Sequence, residues 1–357
     1  MFTYLTELFI AVLLPFLVLS ALLLTAMLVF LVLQRGIDEL QFRRRQRLTM
    51  RYRPLVDGLL GPDTSDQCLM SLARVPVRHR YVLEAMMLRM LALATGSVVD
   101  RLRAGARAAG LVDSWARQLS SRKWWVRADA ARALGLVRES RALPIIIGVL
   151  DDEHEEVRAA AVEALGLIGH PQAIPVLLAR LADESRHQRA RIVEALREFG
   201  DVATPALIAH ARARTSDTVM VADILGLIGG SVAADRLKRW SADPDPLIRT
   251  AAVRALGTIG LDEDGVRLAV AALADTAPEV RAMGARALGR ARRSDAAPRL
   301  AAHLNDEWIV AASCADALRR LGRPGIDALQ TRADDPGYAG DLARQMLWER
   351  RTATAGA

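Results

Sequence analysis

The sequence predicts an all-α solenoid preceded by one transmembrane helix, and three observations carry that prediction. One phrase, clearest as Val157-Arg158-Ala159-Ala160-Ala161-Val162-Glu163-Ala164-Leu165-Gly166, returns seven times. Its pivotal leucines, Leu134, Leu165, Leu196, Leu225, Leu256, Leu288 and Leu318, lie 31, 31, 29, 31, 32 and 30 residues apart. A fixed period near thirty marks units that bury their apolar faces only against their neighbours. No stretch alternates apolar and polar residues with period two, so no sheet is expected. Finally, the 26 residues from Leu8 to Leu33 carry no charge and are interrupted only by Pro15, Ser20 and Thr25.

Along the chain, residues 1–7 are the expected extracytoplasmic N-terminus and 8–33 the transmembrane helix. As a helix the run is about 39 Å long against a bilayer core of about 30 Å, enough to span with tilt. A secretory signal would place positive charge ahead of a shorter apolar core. Here Glu7 precedes the run, and no Lys or Arg does. Arg35, Arg43, Arg44, Arg45, Arg47, Arg51 and Arg53 follow it. The positive-inside rule then puts the N-terminus outside and the long C-terminal part in the cytoplasm, at a bacterial inner membrane. Arg43, Arg44, Arg45 and Arg47 stand where anionic lipid headgroups would meet them, each adding about 1 kcal/mol of attraction.

Residues 34–67 form a basic juxtamembrane helix and linker. The helix is expected to stop before Pro54, and Pro54 to Gln67, with Gly58, Gly61 and Pro62, carries linker and helix-start signals. Residues 68–110 are helical in pattern but depart from the repeat, as a capping adaptor does. Arg78 to Thr95 reads as one long helix, with Met86, Met87 and Met90 as core filling. Residues 111–350 are the solenoid, seven or eight hairpins of a short first helix and a longer second one. Pro144, Pro175, Pro205 and Pro298 open first helices, where a missing N–H costs nothing. Gly135, Gly166, Gly226, Gly257 and Gly289 follow the pivotal leucines, which points to close packing between helices.

These phrases, over about residues 111–350, resemble the HEAT family in its short bacterial form, also found in phycobilin lyase subunits. The resemblance implies an α-solenoid whose second helices line a concave side. It implies little about activity.

Charge and chemistry narrow the function. The formal net charge is +7 over 357 residues. Residues 1–53 carry seven Arg against Glu7, Asp38 and Glu39, hence +4, which leaves +3 for the remaining 304 residues. A nucleic-acid surface would show its excess on the folded domain, so nucleic acid is not expected as a partner. Cys68 and Cys314 form no metal or redox motif, and Cys314 fills the repeat slot of Ala130 and Ala161 as a small buried side chain. An Asp followed six residues later by Arg recurs as Asp152/Arg158, Asp183/Arg189, Asp243/Arg249 and Asp275/Arg281. Where Arg gives way to Thr218 and Ala311, Arg212 and Asn305 replace Asp, as a paired interaction predicts. The family resemblance implies that such pairs stack into a ladder tying neighbouring turns.

Enzyme readings within this resemblance find little in the residues. HEAT-like deoxyhypusine hydroxylase binds iron through several His-Glu pairs, whereas His154-Glu155 stands alone in this sequence. A phycobilin-lyase role finds no chromophore cradle in two scattered cysteines and four tyrosines. Walker, Gly-x-Gly-x-x-Gly and Gly-x-Ser-x-Gly motifs are missing. The expectation is therefore a non-catalytic, membrane-tethered scaffold that needs no cofactor, metal or small-molecule substrate. It binds a membrane-associated protein, for example an enzyme of envelope polysaccharide synthesis; the alternative is a HEAT-like lyase or metal-dependent oxidoreductase. At 100° per residue, Val157, Ala161, Ala164 and Leu165 face the core, and the residue two before each pivotal leucine faces outward. That slot reads Arg132, Glu163, Glu194, Asp223, Arg254, Arg286 and Asp316. Glu163, Glu194 and Asp223 are candidates for a basic partner segment, and Arg254 and Arg286 continue the track. Trp124 and Trp308 share the slot ten before the leucine, where packing on the next turn is the default and partner contact the alternative.

Overall fold

The computed structural model describes the backbone of residues 2–61, 66–181, 185–211 and 215–355, and their side chains except those of 2–18, 21, 186, 215 and 350–355. It divides into two compact units, residues 1–117 and 118–357. Among the described residues every regular element is helical.

The first unit holds α1 (Phe2–Asp57), α2 (Asp66–Ala73), α3 (Arg80–Leu91), α4 (Ser97–Ala108) and α5 (Leu111–Gln118). α1 does not stop before Pro54. It runs one turn further because Tyr52, Val56 and, just beyond its end, Leu59 are buried, and this burial offsets the backbone bond that proline forfeits. Arg101 donates to the carbonyls of Leu59 and Leu60, closing that end of the chain segment onto α4. The start of the expected linker is therefore core, and residues 62–65 lie outside the described set. The helix expected over 78–95 ends at Leu91. Met87 is buried and Met86 and Met90 are half-buried, as core filling requires. Trp115 donates its indole N–H to Glu84 at 2.6 Å, so a wholly buried ring keeps its polar atom satisfied.

Among the described residues no helix is long and apolar enough to cross a membrane. The span expected over 8–33 falls in part on side chains outside the described residues, those of 8–18 and 21. From Leu19 to Leu33 the described large apolar side chains of α1 are all exposed.

The second unit opens on α6 (Trp124–Leu136). Seven hairpins follow: α7 (Leu143–Val149) with α8 (Glu155–Ile168), α9 (Ala173–Arg180) with α10 (Arg186–Glu198), α11 (Thr204–His210) with α12 (Thr215–Ile228), α13 (Ser231–Trp240) with α14 (Pro246–Ile259), α15 (Glu263–Ala272) with α16 (Pro278–Arg290), α17 (Ala297–Ala302) with α18 (Trp308–Arg320), and α19 (Arg323–Ala333) with α20 (Tyr338–Ala355). This is an all-helical solenoid of HEAT type. The second helices are enclosed more fully than one apolar stripe predicts. In α8 not only Val157, Ala161, Ala164 and Leu165 but also Ala159, Ala160 and Val162 are buried. α8 has the first helices α7 and α9 behind it and α6 and α10 on its flanks, so only a narrow ridge of it reaches solvent.

Three repeated devices fix the stack. In the first, a Cβ added at Gly135, Gly166, Gly226, Gly257 or Gly289 would stand 2.6–3.1 Å from the Cα of Ala164, Ala195, Ala255, Ala287 or Ala317 in the next second helix. The glycines thus allow backbone-to-alanine contact. The seam lapses between α10 and α12, where Arg197 and Ile224 hold the corresponding positions, and it ends at Arg319 of α18. The second device is a positive φ four residues after the leucine, at Gly169, Gly200, Gly229, Gly260 and Gly322. Arg138 and Arg292 adopt it too, both with φ 51°.

The third device is the aspartate–arginine ladder, and its wiring differs from the i, i+6 pairing of the sequence. Within a unit, Arg281 donates Nη1–H to the backbone carbonyl of Asp275 at 2.9 Å. Its remaining fork reaches Asp306 of the next unit at 2.8 and 2.6 Å. Arg249 likewise bonds the Asp243 carbonyl and forks onto Asp275, and Arg127 bonds the Ser121 carbonyl and forks onto Asp152. Arg127 escaped the pattern because Ser121 stands where its own aspartate would be. The tandem loss at Ala311 is also corrected: Asp306, one residue past Asn305, takes the place and ends the ladder. At the other gap, the Thr218 hydroxyl donates to the Ala211 carbonyl, so Asp243 has no arginine in the Arg slot before it. Among the described residues its carboxylate accepts from the Asp245 N–H. Asp183 lies outside the described residues. The guanidinium forks hold Asp152 and Asp275 below the usual carboxylate range and bring Asp306 to about 2.

Candidate partner-binding face

The ridge of the second helices carries the predicted slot. Glu163, Glu194, Asp223 and Arg286 are exposed, and Arg132, Arg254 and Asp316 are half-buried. Their charges are more neutralised than the sequence order implies, because long side chains reach across to the neighbouring helix. Arg254 forks onto Asp223 at 2.9 and 3.0 Å. Arg132 lies 3.9 Å from Glu163 and 3.6 Å from Glu156. Glu194 pairs with Arg197 on its own helix, and Asp316 with Arg319 and Arg320 at 2.7 and 2.8 Å. The polarised track is therefore interrupted where it changes sign, since Asp223 and Arg254 close on each other.

What remains are two grooves of opposite character. Between α8 and α10, a cavity of about 370 Å³ is lined by Glu163, Leu167, Arg191, Glu194 and Glu198. Three carboxylates surround one arginine and a leucine floor. Between α16 and α18, the matching cavity of about 340 Å³ is lined by Arg286, Arg290, Arg320, Trp308, Ser313 and Asp316. Of the sequence candidates, Glu163 and Glu194 thus share one groove and Arg286 and Trp308 the other. Asp223, Arg254 and Trp124 line neither. Glu198, Arg290 and Arg320 were missed, although their signal was available. The slot two after the leucine reads Leu136, Leu167, Glu198, Leu227, Thr258, Arg290 and Arg320, acidic and then basic like its neighbour.

The two slot-sharing tryptophans differ. Trp124 stacks on His154, with ring centroids 4.2 Å apart and planes 11° from parallel, which is the packing role taken as default. Trp308 is 72% exposed and has no ring against it among the described residues. His154, placed at the start of α8, is thus committed to Trp124, and no group of three or more His, Cys, Asp or Glu side chains among the described residues could hold a metal ion. Cys314 is wholly buried, and burial pushes its thiol up to about 12. Among the arginines assigned to lipid, Arg43 pairs with Glu39 at 2.7 Å, while Arg44 and Arg45 line a groove of α1 with Tyr81. Arg47 is exposed.

Fold and ridge define a helical-repeat solenoid that presents charged grooves between successive second helices. Residues 112–197 and 149–225 match the family model described as HEAT repeats. No curated protein matches the chain. Among solved structures, it is similar in fold to the complex of CpcE and CpcF of phycocyanin lyase from Nostoc sp., at 23% identity over 66% of this chain and 93% of that one, with a TM-score of 0.31. It is similar to human deoxyhypusine hydroxylase at 20% identity over 85% of this chain and 96% of that one, TM-score 0.29. The likeness to importin beta is at 16% identity, over 84% of this chain and 47% of that one, TM-score 0.44.

Proposed function

We propose that this chain is a non-catalytic scaffold that holds a membrane-associated protein partner at the cytoplasmic face of a bacterial inner membrane. The observation that carries the reading is the pair of oppositely charged grooves on one ridge. HEAT-type solenoids are a general protein-interaction fold, and charge complementarity of this kind sets orientation and association rate more than raw affinity. The exposure of the described large apolar side chains from Leu19 to Leu33, followed by the arginine cluster, supports a tether. An integral enzyme of envelope polysaccharide synthesis is the kind of partner such a tether would suit.

The acidic groove receives a basic helix or loop of the partner on Glu163 and Glu194. Replacing Glu163, Glu194 and Asp223 together by lysine is expected to abolish co-purification of the partner from native membranes. The Asp275→Asn variant, which touches only the ladder, is expected to lower thermal stability and keep the partner. Unchanged co-purification with the triple-lysine variant at low and moderate salt removes this groove from the reading. Stoichiometric iron or another transition metal in the purified protein would overturn the scaffold reading as a whole. Placement is tested by Thr3→Cys and Gln330→Cys in a Cys68→Ala background: the first is expected to react from outside the cell, the second only after permeabilisation.

A further inference from the structure

We propose that the groove between α16 and α18 is a binding site for an acidic peptide segment of the partner. A carboxylate would sit on Arg286 and Arg290, with a neighbouring apolar or aromatic side chain against Trp308. The inference rests on the scaffold reading and adds to it a second contact of opposite sign.

Three observations converge on this occupant. Of the seven charged residues in the outward slot, six meet an opposite charge, and Arg286 is the exception. It donates to the Ser313 hydroxyl at 3.1 Å, and Ser313 in turn donates to the Ile309 carbonyl at 2.7 Å. Among the described residues Arg290 donates to the Thr258 hydroxyl, at 3.3 Å. Neither guanidinium has a carboxylate within ion-pair distance among the described residues, although nearby Arg320 is neutralised by Asp316. Both arginines line the groove, Arg286 reaching across to Ser313 of α18 and Arg290 back to Thr258 of α14, and each keeps guanidinium donors for a carboxylate to accept.

The second observation is the tryptophan. The same slot in α6 holds a ring already covered by His154, whereas Trp308 leaves its face to the groove. An exposed indole beside arginines is the composition of an interface anchor. The third is size. A cavity of about 340 Å³ accommodates a carboxylate side chain and its apolar neighbour, not a folded domain. A peptide fits better than nucleic acid, because one open ring gives no run of stacking platforms and the unit bears little net positive charge. A membrane surface fits less well still, since the two arginines line a groove between helices rather than a flat face that a bilayer could lie on.

The test is fluorescence anisotropy of the full-length protein in detergent with a labelled acidic peptide, Glu-Asp-Leu-Glu-Glu-Phe, and its Lys-for-acid counterpart. Binding of the acidic peptide is expected to weaken about tenfold or more in the Arg286→Glu/Arg290→Glu variant and in Trp308→Ala, and to fall as salt rises. Glu163→Lys/Glu194→Lys is expected to leave it unchanged while removing the Lys-rich peptide. Arg286→Gln and Ser313→Ala serve as milder variants if the charge reversal lowers the melting temperature. Any one of four results overturns the proposal: absence of acidic-peptide binding, binding indifferent to Arg286 and Arg290, preference for a short poly-uridine RNA, or preference for vesicles containing phosphatidylglycerol. Failure of the acidic groove with the Lys-rich peptide counts against the function proposed above and leaves this site standing.

Discussion

Replacing Asp306 by Asn removes the charge that ends the ladder while keeping its shape. In the folded chain the Asp306 carboxylate takes the fork of Arg281, the Glu307 N–H and a bond from His303, and its side chain is only 17% exposed. Its carboxyl falls from 3.8 to about 2, the Arg281 bonds being the largest cause. That displacement corresponds to about 2 kcal/mol favouring the folded state. Because the folded group titrates below the unfolded one, the contribution is complete above about pH 5 and is lost as the pH falls through about 2, with about half gone near pH 3. Interfaces in a repeat array act on their neighbours, so the loss is local. Native-state hydrogen exchange near neutral pH is expected to quicken about 30-fold for amides of α16 and α18, and to stay unchanged in α8. Urea unfolding should show the gap between variant and wild type narrowing towards pH 3. A gap that is independent of pH, or a loss below about 0.5 kcal/mol, would mean that the pair is no stronger than an exposed one and the reasoning fails.

The ladder wiring also predicts that Asp275→Asn lowers thermal stability more than Asp243→Asn, since among the described residues the carboxylate of Asp275, and not that of Asp243, receives a guanidinium; equal melting temperatures refute it. Arg292→Gly is expected to raise stability by about 0.5–1 kcal/mol in urea titrations, because the left-handed backbone there strains any residue with a Cβ. Gly257→Val forces its Cβ into the Ala287 backbone and is expected to cost about 1–3 kcal/mol in the same assay. Cys314, with its thiol at about 12, is expected to resist thiol reagents near pH 8 until the chain is unfolded, when it should react at an ordinary rate.

The repeat made most of the second unit legible, because period and burial are the same physical fact. A unit that cannot close its own core must repeat the residues that close it. The glycine seam could be read for the same reason, since Gly and Ala recur at fixed steps from each leucine. The ladder was half legible. Its members stood out by spacing, but which Asp meets which Arg depends on how one hairpin lies on the next, and spacing within a unit does not contain that. Hence Arg127, without an aspartate of its own, and Asp306, one residue out of step, were missed. The end of α1 was misplaced because proline is a local signal, while the burial of Val56 and Leu59 is a tertiary one. The outward slot was located correctly from helical geometry. Its partial neutralisation was not, because salt bridges such as Arg254–Asp223 form between units.

The lapse at Arg197 and Ile224 divides the array energetically. From α6 to α10 and from α12 to α18, backbone-to-alanine contact couples one second helix to the next, and guanidinium forks add to it at the α6–α8, α14–α16 and α16–α18 junctions. Between α10 and α12 neither device is present among the described residues, so within the run from α6 to α18 the coupling of the one-dimensional stack is weakest there. The acidic groove lies before this joint and the basic groove after it, some four helix steps, or about 40 Å, further on. A ligand gripping both spans the joint from outside. Its binding free energy is then felt most at the junction that the chain itself secures least, and the partner becomes a splint for the solenoid as well as its cargo.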